Sequence, residues 1–521
     1  MAFRRLRGET VLAWLAAGVG LIGLVSGLTP DLSARSDFVR GVLPPGVPEA
    51  ARVATLAFGI ALVILARSLS LRSRRAWQLS VALVIGISLA HLLKALDVEE
   101  AALGLVALGL LLRYRRRFDV PGDSAATRPL LATVLALVSA TGIALAIEIR
   151  MTRIERVADL LLAAALVLAV RAVHLWLRPL TERVLQSVDE RRRAVELVRE
   201  HGHDSLAFFA LRRDKNWFFS STRRSFLAYR VVGGVALVSG DPIGDETEFA
   251  ELLHEFQRVC RARGWLLALV SVRAELLPVA RALGLHSIKI GDEAIVRTSS
   301  FSLQGRAVRK VRQSVARLER AGFSVRLVAA ADVDEALRGE LGRVSDDWRG
   351  ASAERGFTMA MDDLFREPET IFAVAETRGG VGGFLHLVPS TRGYSLSAMR
   401  RDRTSPNGLM EFLIVRAIEW ARDRGTSELS LNFCAFADLF GAEHASRWRS
   451  GARAALRAAD RVFQIERLLV FNRKFHPEWR PRYVCFERFA DVPRVGVAYM
   501  RAESLLTPPG PWARRAATPT T

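Results

Sequence analysis

Arg400, Arg401 and Arg403 stand together just ahead of a helix whose start is marked by Ser405 and Pro406. Free N–H groups at a helix N-terminus, the helix dipole and three guanidinium groups would together hold a phosphate. The bland alternative is a capped helix beside solvated arginines. A second basic concentration runs from Gly305 to Ala321. There Arg306, Arg309, Lys310, Arg312, Arg317 and Arg320 alternate with Val308, Val311, Val315 and Leu318. The spacing predicts a helix with one apolar stripe and one basic face suited to a phosphate backbone, set against a merely solvated face. His201 and His203 lack a nearby Cys or carboxylate cluster, so no metal is expected. No G-x-S-x-G elbow, Walker loop or H-E-x-x-H motif occurs, which removes the usual signatures of serine catalysis, NTP hydrolysis and zinc proteolysis. Cys260, Cys434 and Cys485 are too dispersed for a disulfide framework or a zinc ribbon, and a reducing compartment fits.

The elements that must carry these groups alternate between strand and helix. Ser225 to Ser239 reads as two strands around the turn Gly233-Gly234. The turn Gly240 to Asp245 follows, then an amphipathic helix to about Arg263, the apolar strand Trp265 to Val272, a helix Ala274 to Leu283 and the strand His286 to Arg297. After the basic helix come a strand Ser324 to Val328, a helix about Leu337 to Trp348 and a hairpin Ile371 to Val388. The strand Tyr394 to Arg400, a helix carrying Leu409, Phe412, Leu413, Ala417 and Trp420, and the alternating strand Ser427 to Phe433 complete the series. The expectation is two α/β halves of comparable order, joined by the basic helix.

Ahead of them lies a membrane half. Of 521 residues 50% are hydrophobic, yet 74 Lys+Arg face 54 Asp+Glu, a net charge of +20 that calls for anionic partners. Apolar runs at Val11 to Leu28, Val53 to Leu65, Trp77 to Leu93, Ala101 to Leu112, Leu130 to Ile147 and Val157 to Leu177 predict six spans, the second and fourth being the shortest. Arginines cluster before the first run and after the second and fourth, which puts both termini in the cytoplasm. His91 and Glu148 sit near span ends as interfacial anchors, and an ion pump is disfavoured. A charged helical segment, Arg178 to Glu200, leads off the membrane, and the Pro-, Ala- and Thr-rich tail after Thr507 reads as disordered.

Several blocks in order resemble the catalytic region of the multiple peptide resistance factor family, the lysylphosphatidylglycerol synthases. They are Asp214-Lys215-Asn216-Trp217-Phe218-Phe219, Ser239-Gly240-Asp241-Pro242-Ile243-Gly244, Lys289 to Val296, Phe301 to Gly305 and Lys474 to Tyr483, within about Leu197 to Phe489. Ser430-Leu431-Asn432-Phe433 and the Lys474 block look closest to the actinobacterial branch, in which a lysyl-tRNA synthetase can be fused downstream. Here the charged tRNA is expected from a separate synthetase.

The resemblance implies a fold and its divisions. An all-α transmembrane domain (1–178) precedes an α/β region of two tandem acetyltransferase-like (GNAT) folds. The first, with its lead-in helix, covers 179–304; the basic linker helix and second fold cover 305–495; a tail covers 496–521.

The implied activity is transfer of an amino acid, lysine by family, from aminoacyl-tRNA to a hydroxyl of phosphatidylglycerol or a related anionic lipid, with no cofactor. It would take place at the cytoplasmic face of the cell membrane, by a multi-pass protein able to form homo-oligomers, and would lower membrane charge and confer antimicrobial peptide resistance. Carried over by position, Arg400, Glu411, Lys474 and Arg482 are the catalytic candidates. Asp241, Glu293, Arg401, Arg403 and Asn432 would bind substrate, and Arg306, Arg309, Lys310, Arg312 and Arg317 would bind tRNA. Ser397 departs from the family pattern, where aspartate is common. Two alternatives remain open. One is an acyl-CoA-dependent or peptidoglycan-precursor acyltransferase of the same fold, and the other is a lipid flippase or anchor with a binding module.

Overall fold

A computed structural model describes residues 8–29, 42–44, 47–120, 184–350, 356–435 and 465–506, with scattered positions between 129 and 182. Two compact units result, Met1–Glu182 with Arg258–Trp265, and Arg183–Gln257 with Leu266–Thr521.

In the first unit α1 (Gly8–Leu28), α2 (Val47–Ser70), α3 (Arg74–Ala95) and α4 (Val98–Arg113) follow one another. Among the described residues three helices, α1, α2 and α3, are long and apolar enough to cross a membrane. The second run proves longer than its apolar core suggested, because polar residues at both ends join the helix. The fourth forms a helix of 16 residues, below the ~17 usually needed to span. The fifth and sixth runs lie mostly outside the described residues. Glycines let α1 and α2 touch: a Cβ on Gly20 would stand 2.6 Å from the Gly59 carbonyl oxygen, and one on Gly59 2.7 Å from that of Gly20. Lys94 at the end of α3 donates to the Ser26 carbonyl at 2.7 Å, satisfying an orphan acceptor in the last turn of α1.

The second unit is built on one mixed sheet. Its strands are β1 (Asn216–Phe219), β2 (Ser225–Val232), β3 (Val235–Ser239), β4 (Ile243–Gly244), β5 (Leu266–Val272), β6 (His286–Arg297), β7 (Ser324–Ala329), β8 (Ile371–Thr377), β9 (Gly380–Ser390), β10 (Gly393–Arg401), β11 (Glu428–Ala435) and β12 (Glu478–Phe486). The helices are α5 (Val188–His201), α6 (Phe249–Arg263), α7 (Leu277–Ala282), α8 (Arg309–Arg320), α9 (Glu335–Arg349), α10 (Leu409–Asp423), α11 (Ile465–Arg473) and α12 (Val492–Ala502).

The strand order is β1-β2-β3-β5-β12-β6-β11-β10-β9-β8-β7, with β4 on β2. Each half makes an antiparallel meander and then a parallel step through a helix, β3 to β5 by α6 and β10 to β11 by α10. At the middle the halves exchange strands. β12, from the end of the chain, lies between β5 and β6, and β6 lies between β12 and β11. The two halves therefore share one continuous sheet.

Local chemistry explains most of these elements. Gly233 and Gly234 both take positive φ, 57° and 77°, as a tight hairpin turn requires. Ser187 and Glu190 form a capping box that starts α5 at Val188, so the lead-in helix begins later than the charged pattern suggested. Likewise α8 begins at Arg309: Gly305 has φ 92°, outside helical space. The predicted stripe is buried throughout, Val308 at the N-cap of α8 and Val311, Val315 and Leu318 along it, the last three packing into the core with α10. α12 runs past residue 495, and the described fold reaches Leu506; the tail after Thr507 lies outside the described residues.

Candidate active site

The first turn of α10 and the end of α11 bring two catalytic candidates together. Glu411, in the first turn of α10, receives a 2.7 Å hydrogen bond from Lys474 Nζ, which sits just beyond α11. The pair is partly open, its side chains 14% and 36% exposed respectively. Gly408, with φ 91°, serves as N-cap and supplies no side-chain acceptor, so the N-terminus of α10 keeps its positive end.

Arg400 leaves β10 opposite Phe384. Its charge is one reason why His386 is held neutral, although burial is the larger cause of a pKa pushed down to about 3. Arg401 lies over Trp348, and Arg403 pairs with Asp347 at 3.9 Å. Asp402 between them is held at about 2 by hydrogen bonds from Arg343 and Thr404.

Beside this loop the sheet opens. β10 and β11 pair only from Gly393 to Ser395 against Glu428 to Ser430, and then part. Both strands are irregular where they separate, β10 between Leu396 and Ala398 and β11 between Ser430 and Phe433. Asn432 takes φ 73°, tolerable for asparagine, and spans the opening by donating to Met359 O at 2.7 Å and Leu396 O at 2.8 Å. Ser397 Oγ accepts from Met361 N at 3.0 Å.

Met359 and Met361 belong to an irregular strap, residues 356–367, that crosses the opening. Glu503 grips the strap by accepting from Phe357 N at 2.8 Å, from Thr358 N at 3.2 Å and from Thr358 Oγ1 at 2.8 Å. Arg212 donates to Ala360 O, and Arg191 pairs with Glu367. Nothing periodic marks this strap in sequence, and its contacts with Ser397 and Asn432 are visible only in the fold.

Arg482 on β12 and Glu293 on β6 are buried within the sheet, and Asp241 is buried in the turn between β3 and β4. Arg482 is 2% exposed; it donates to Asp204 at 2.5 and 2.9 Å, to Glu293 at 3.0 Å, to Ser205 Oγ at 3.0 Å and to Ser271 O at 3.2 Å. Ser430 Oγ closes the network on Glu293 at 2.5 Å. Asp241 accepts from Arg273 N at 3.0 Å and Arg273 Nε at 2.7 Å. Burial and the neighbouring Asp204 push its carboxyl up, against the two arginines.

The tRNA candidates stay outside. Arg306, Arg309, Lys310, Arg312 and Arg317 are exposed. Arg312 donates to Leu303 O at 2.5 Å, and Arg317 to Asn407 O.

One group was passed over. Lys215 is completely buried, its Nζ 2.8 Å from Phe209 O, 2.7 Å from Ser239 Oγ and 4.7 Å from the Phe357 ring of the strap. Its sequence signals are its place among five lysines in an Arg-rich chain and its position in the block Asp214 to Phe219. Burial, and after it Arg212, pushes its pKa down to about 7. A base with a folded-state pKa below the unfolded value of about 10.4 binds protons more readily when unfolded, so stability rises with pH across that window. Lys215→Met is expected to flatten the rise in Tm between about pH 7 and about pH 9. An unchanged slope would mean that Lys215 is charged in the folded protein.

One continuous mixed sheet with a parallel crossover in each half, and a charged pair at the head of a crossover helix, define an α/β fold with a candidate site. A profile of the phosphatidylglycerol lysyltransferase C-terminal family matches residues 195–486, and the chain belongs to that family. It is 37% identical to the lysylphosphatidylglycerol biosynthesis bifunctional protein LysX of Rhodococcus jostii, over 67% of this chain and 32% of that protein. The protein of the same name from Mycobacterium tuberculosis is 38% identical over 59% of this chain and 27% of its own length. The chain thus spans about a third of these relatives or less. Among solved structures, a C-terminal DUF2156 domain from Agrobacterium fabrum aligns with TM-score 0.54 and 25% identity, over 61% of this chain and 97% of that one. L-PGS from Bacillus licheniformis aligns with TM-score 0.54 and 23% identity, over 60% and 96%.

Proposed function

We propose that this chain is a membrane-bound aminoacyltransferase that moves an aminoacyl group, lysyl by family, from aminoacyl-tRNA to a hydroxyl of phosphatidylglycerol. The observation that carries the reading is the Glu411–Lys474 pair at the head of α10, the helix that follows Arg400, Arg401 and Arg403 in the chain. The aminoacyl ester is already activated, so the protein need only orient a lipid hydroxyl, take its proton and stabilise an oxyanion. Glu411 accepts the hydroxyl proton as the oxygen attacks the ester carbonyl. Lys474 neutralises the oxyanion and donates to the ribose oxygen as the old C–O bond breaks. Arg400, Arg401 and Arg403 hold phosphate. Arg482, Glu293 and Asp241 act as positioning residues through the sheet, and Asn432 holds the opening between β10 and β11. The exposed face of α8 meets the tRNA backbone. Membrane-spanning helices would keep the site beside its lipid at the cytoplasmic face, with a separate synthetase supplying charged tRNA.

The test is incorporation of label from [14C]lysyl-tRNA into vesicle phosphatidylglycerol by the full chain in detergent. We expect lipid-soluble label that RNase abolishes. Replacing Arg309, Lys310 and Arg312 by alanine should flatten the dependence of log affinity on log salt by about 0.7–0.9 per lost contact. Label that never enters lipid, with RNase making no difference, would reject the reading.

A further inference from the structure

Trp348, in the last turn of α9, is 42% exposed. Between Ile288 and Val470 it is the one exposed large hydrophobic side chain among the described residues. The Arg401 guanidinium carbon stands 6.0 Å from its ring centroid, at the outer reach of a cation–π contact. The carboxylates around it are already matched: Asp346 by Arg349 at 2.5 Å, Asp347 by Arg403 at 3.9 Å and Asp402 by Arg343 at 2.8 Å. Arg401 has no carboxylate partner among the described residues.

The loop carrying Arg401 touches α9 through Arg403 and α8 through Arg317, whose guanidinium donates to Asn407 O. Arg306 just ahead of α8, and Arg309, Lys310, Arg312 and Arg320 along it, have no carboxylate partner among the described residues either. The fold thus sets an open indole and an uncommitted guanidinium beside the loop that the basic helix also reaches.

We propose that Trp348 and Arg401 form a stacking platform for an unpaired base at the single-stranded 3′ end of the tRNA substrate, an inference that rests on the aminoacyl-tRNA reading above. Aromatic faces bind bases of any sequence, while arginines beside them track the phosphates. A bilayer contact is the rival use for a surface tryptophan. It needs a contiguous apolar face, and Trp348 stands alone among ion pairs.

The test uses the full chain in detergent, with the RNA tetranucleotide ACCA carrying 2-aminopurine at its 3′ position as probe. W348A is expected to weaken probe binding about 10-fold or more, and to raise KM for aminoacyl-tRNA in parallel with little change in kcat. W348F, which keeps a stacking ring, should stay near wild type. Unchanged probe affinity in W348A overturns the inference. So does quenching of Trp348 emission, taken as wild type minus W348F, in nanodiscs of brominated phosphatidylglycerol. A wild-type protein that moves no label from aminoacyl-tRNA defeats the underlying reading instead, whereas intact transfer with an indifferent W348A defeats only this platform.

Discussion

Lys474→Ala is expected to lower kcat for aminoacyl transfer about 10²- to 10³-fold, the usual consequence of losing one oxyanion-stabilising donor. Glu411→Gln should cost a comparable factor, about 10²- to 10⁴-fold, by removing the proton acceptor while keeping the shape of the side chain. The pair is 2.7 Å apart and partly exposed, so its contribution to stability should be small, under about 1 kcal/mol. Activity and stability are thereby separated: the variants should melt near wild type and yet fail to transfer. Single-turnover transfer from preformed lysyl-tRNA, measured beside thermal melting, checks both. A Lys474→Ala protein with the wild-type rate would reduce the pair to a surface ion pair.

Arg482→Met should have the opposite profile, a loss of stability of about 3–5 kcal/mol, because Asp204 and Glu293 would be left buried without their cation. Arg482 lies on β12 and Glu293 on β6, so the damage falls on the strands that the two halves exchange. Adding Asp204→Asn and Glu293→Gln to Arg482→Met should recover much of the loss, since neutral side chains remove the stranded charge. A triple variant no better than Arg482→Met would show that packing of the arginine stem, not charge, is what matters.

The same network predicts an acid response. Burial raises the Asp204 carboxyl, but the charge and hydrogen bonds of Arg482 outweigh it, and the net pKa is lowered. A carboxylate lowered in the fold stabilises it above its unfolded pKa of about 3.9, and that contribution is lost as pH falls through the lower folded value. Wild type should therefore lose stability on acidification below about pH 4, and the neutralised triple variant should lose less.

The basic helix was legible because its signal is local: Val308, Val311, Val315 and Leu318 recur at helical spacing and are all buried. Most strands from β2 to β11 followed from the same kind of pattern, whereas β1 had no periodic signal and β4 reads as part of a turn. β12 did not follow from it either, since Pro481 interrupts the strand. Pro481 lies where β12 pairs with β6 alone, before its pairing with β5 begins at Tyr483. Arg482 reads as a catalytic candidate as long as β12 goes unread. Once that strand lies beside β6, the guanidinium has nowhere to go but onto Glu293 and Asp204.

By itself, then, the sequence determined the apolar runs, the basic helix and the family blocks, all of which depend on neighbours a few residues apart along the chain. The tertiary structure decided which charges face outward. Glu411 and Lys474 are 63 positions apart, and Arg482 and Asp204 278 apart. One pair is left partly open at the head of α10 and the other is closed within a sheet. That difference is set by strand exchange and burial, long-range properties that no local pattern encodes.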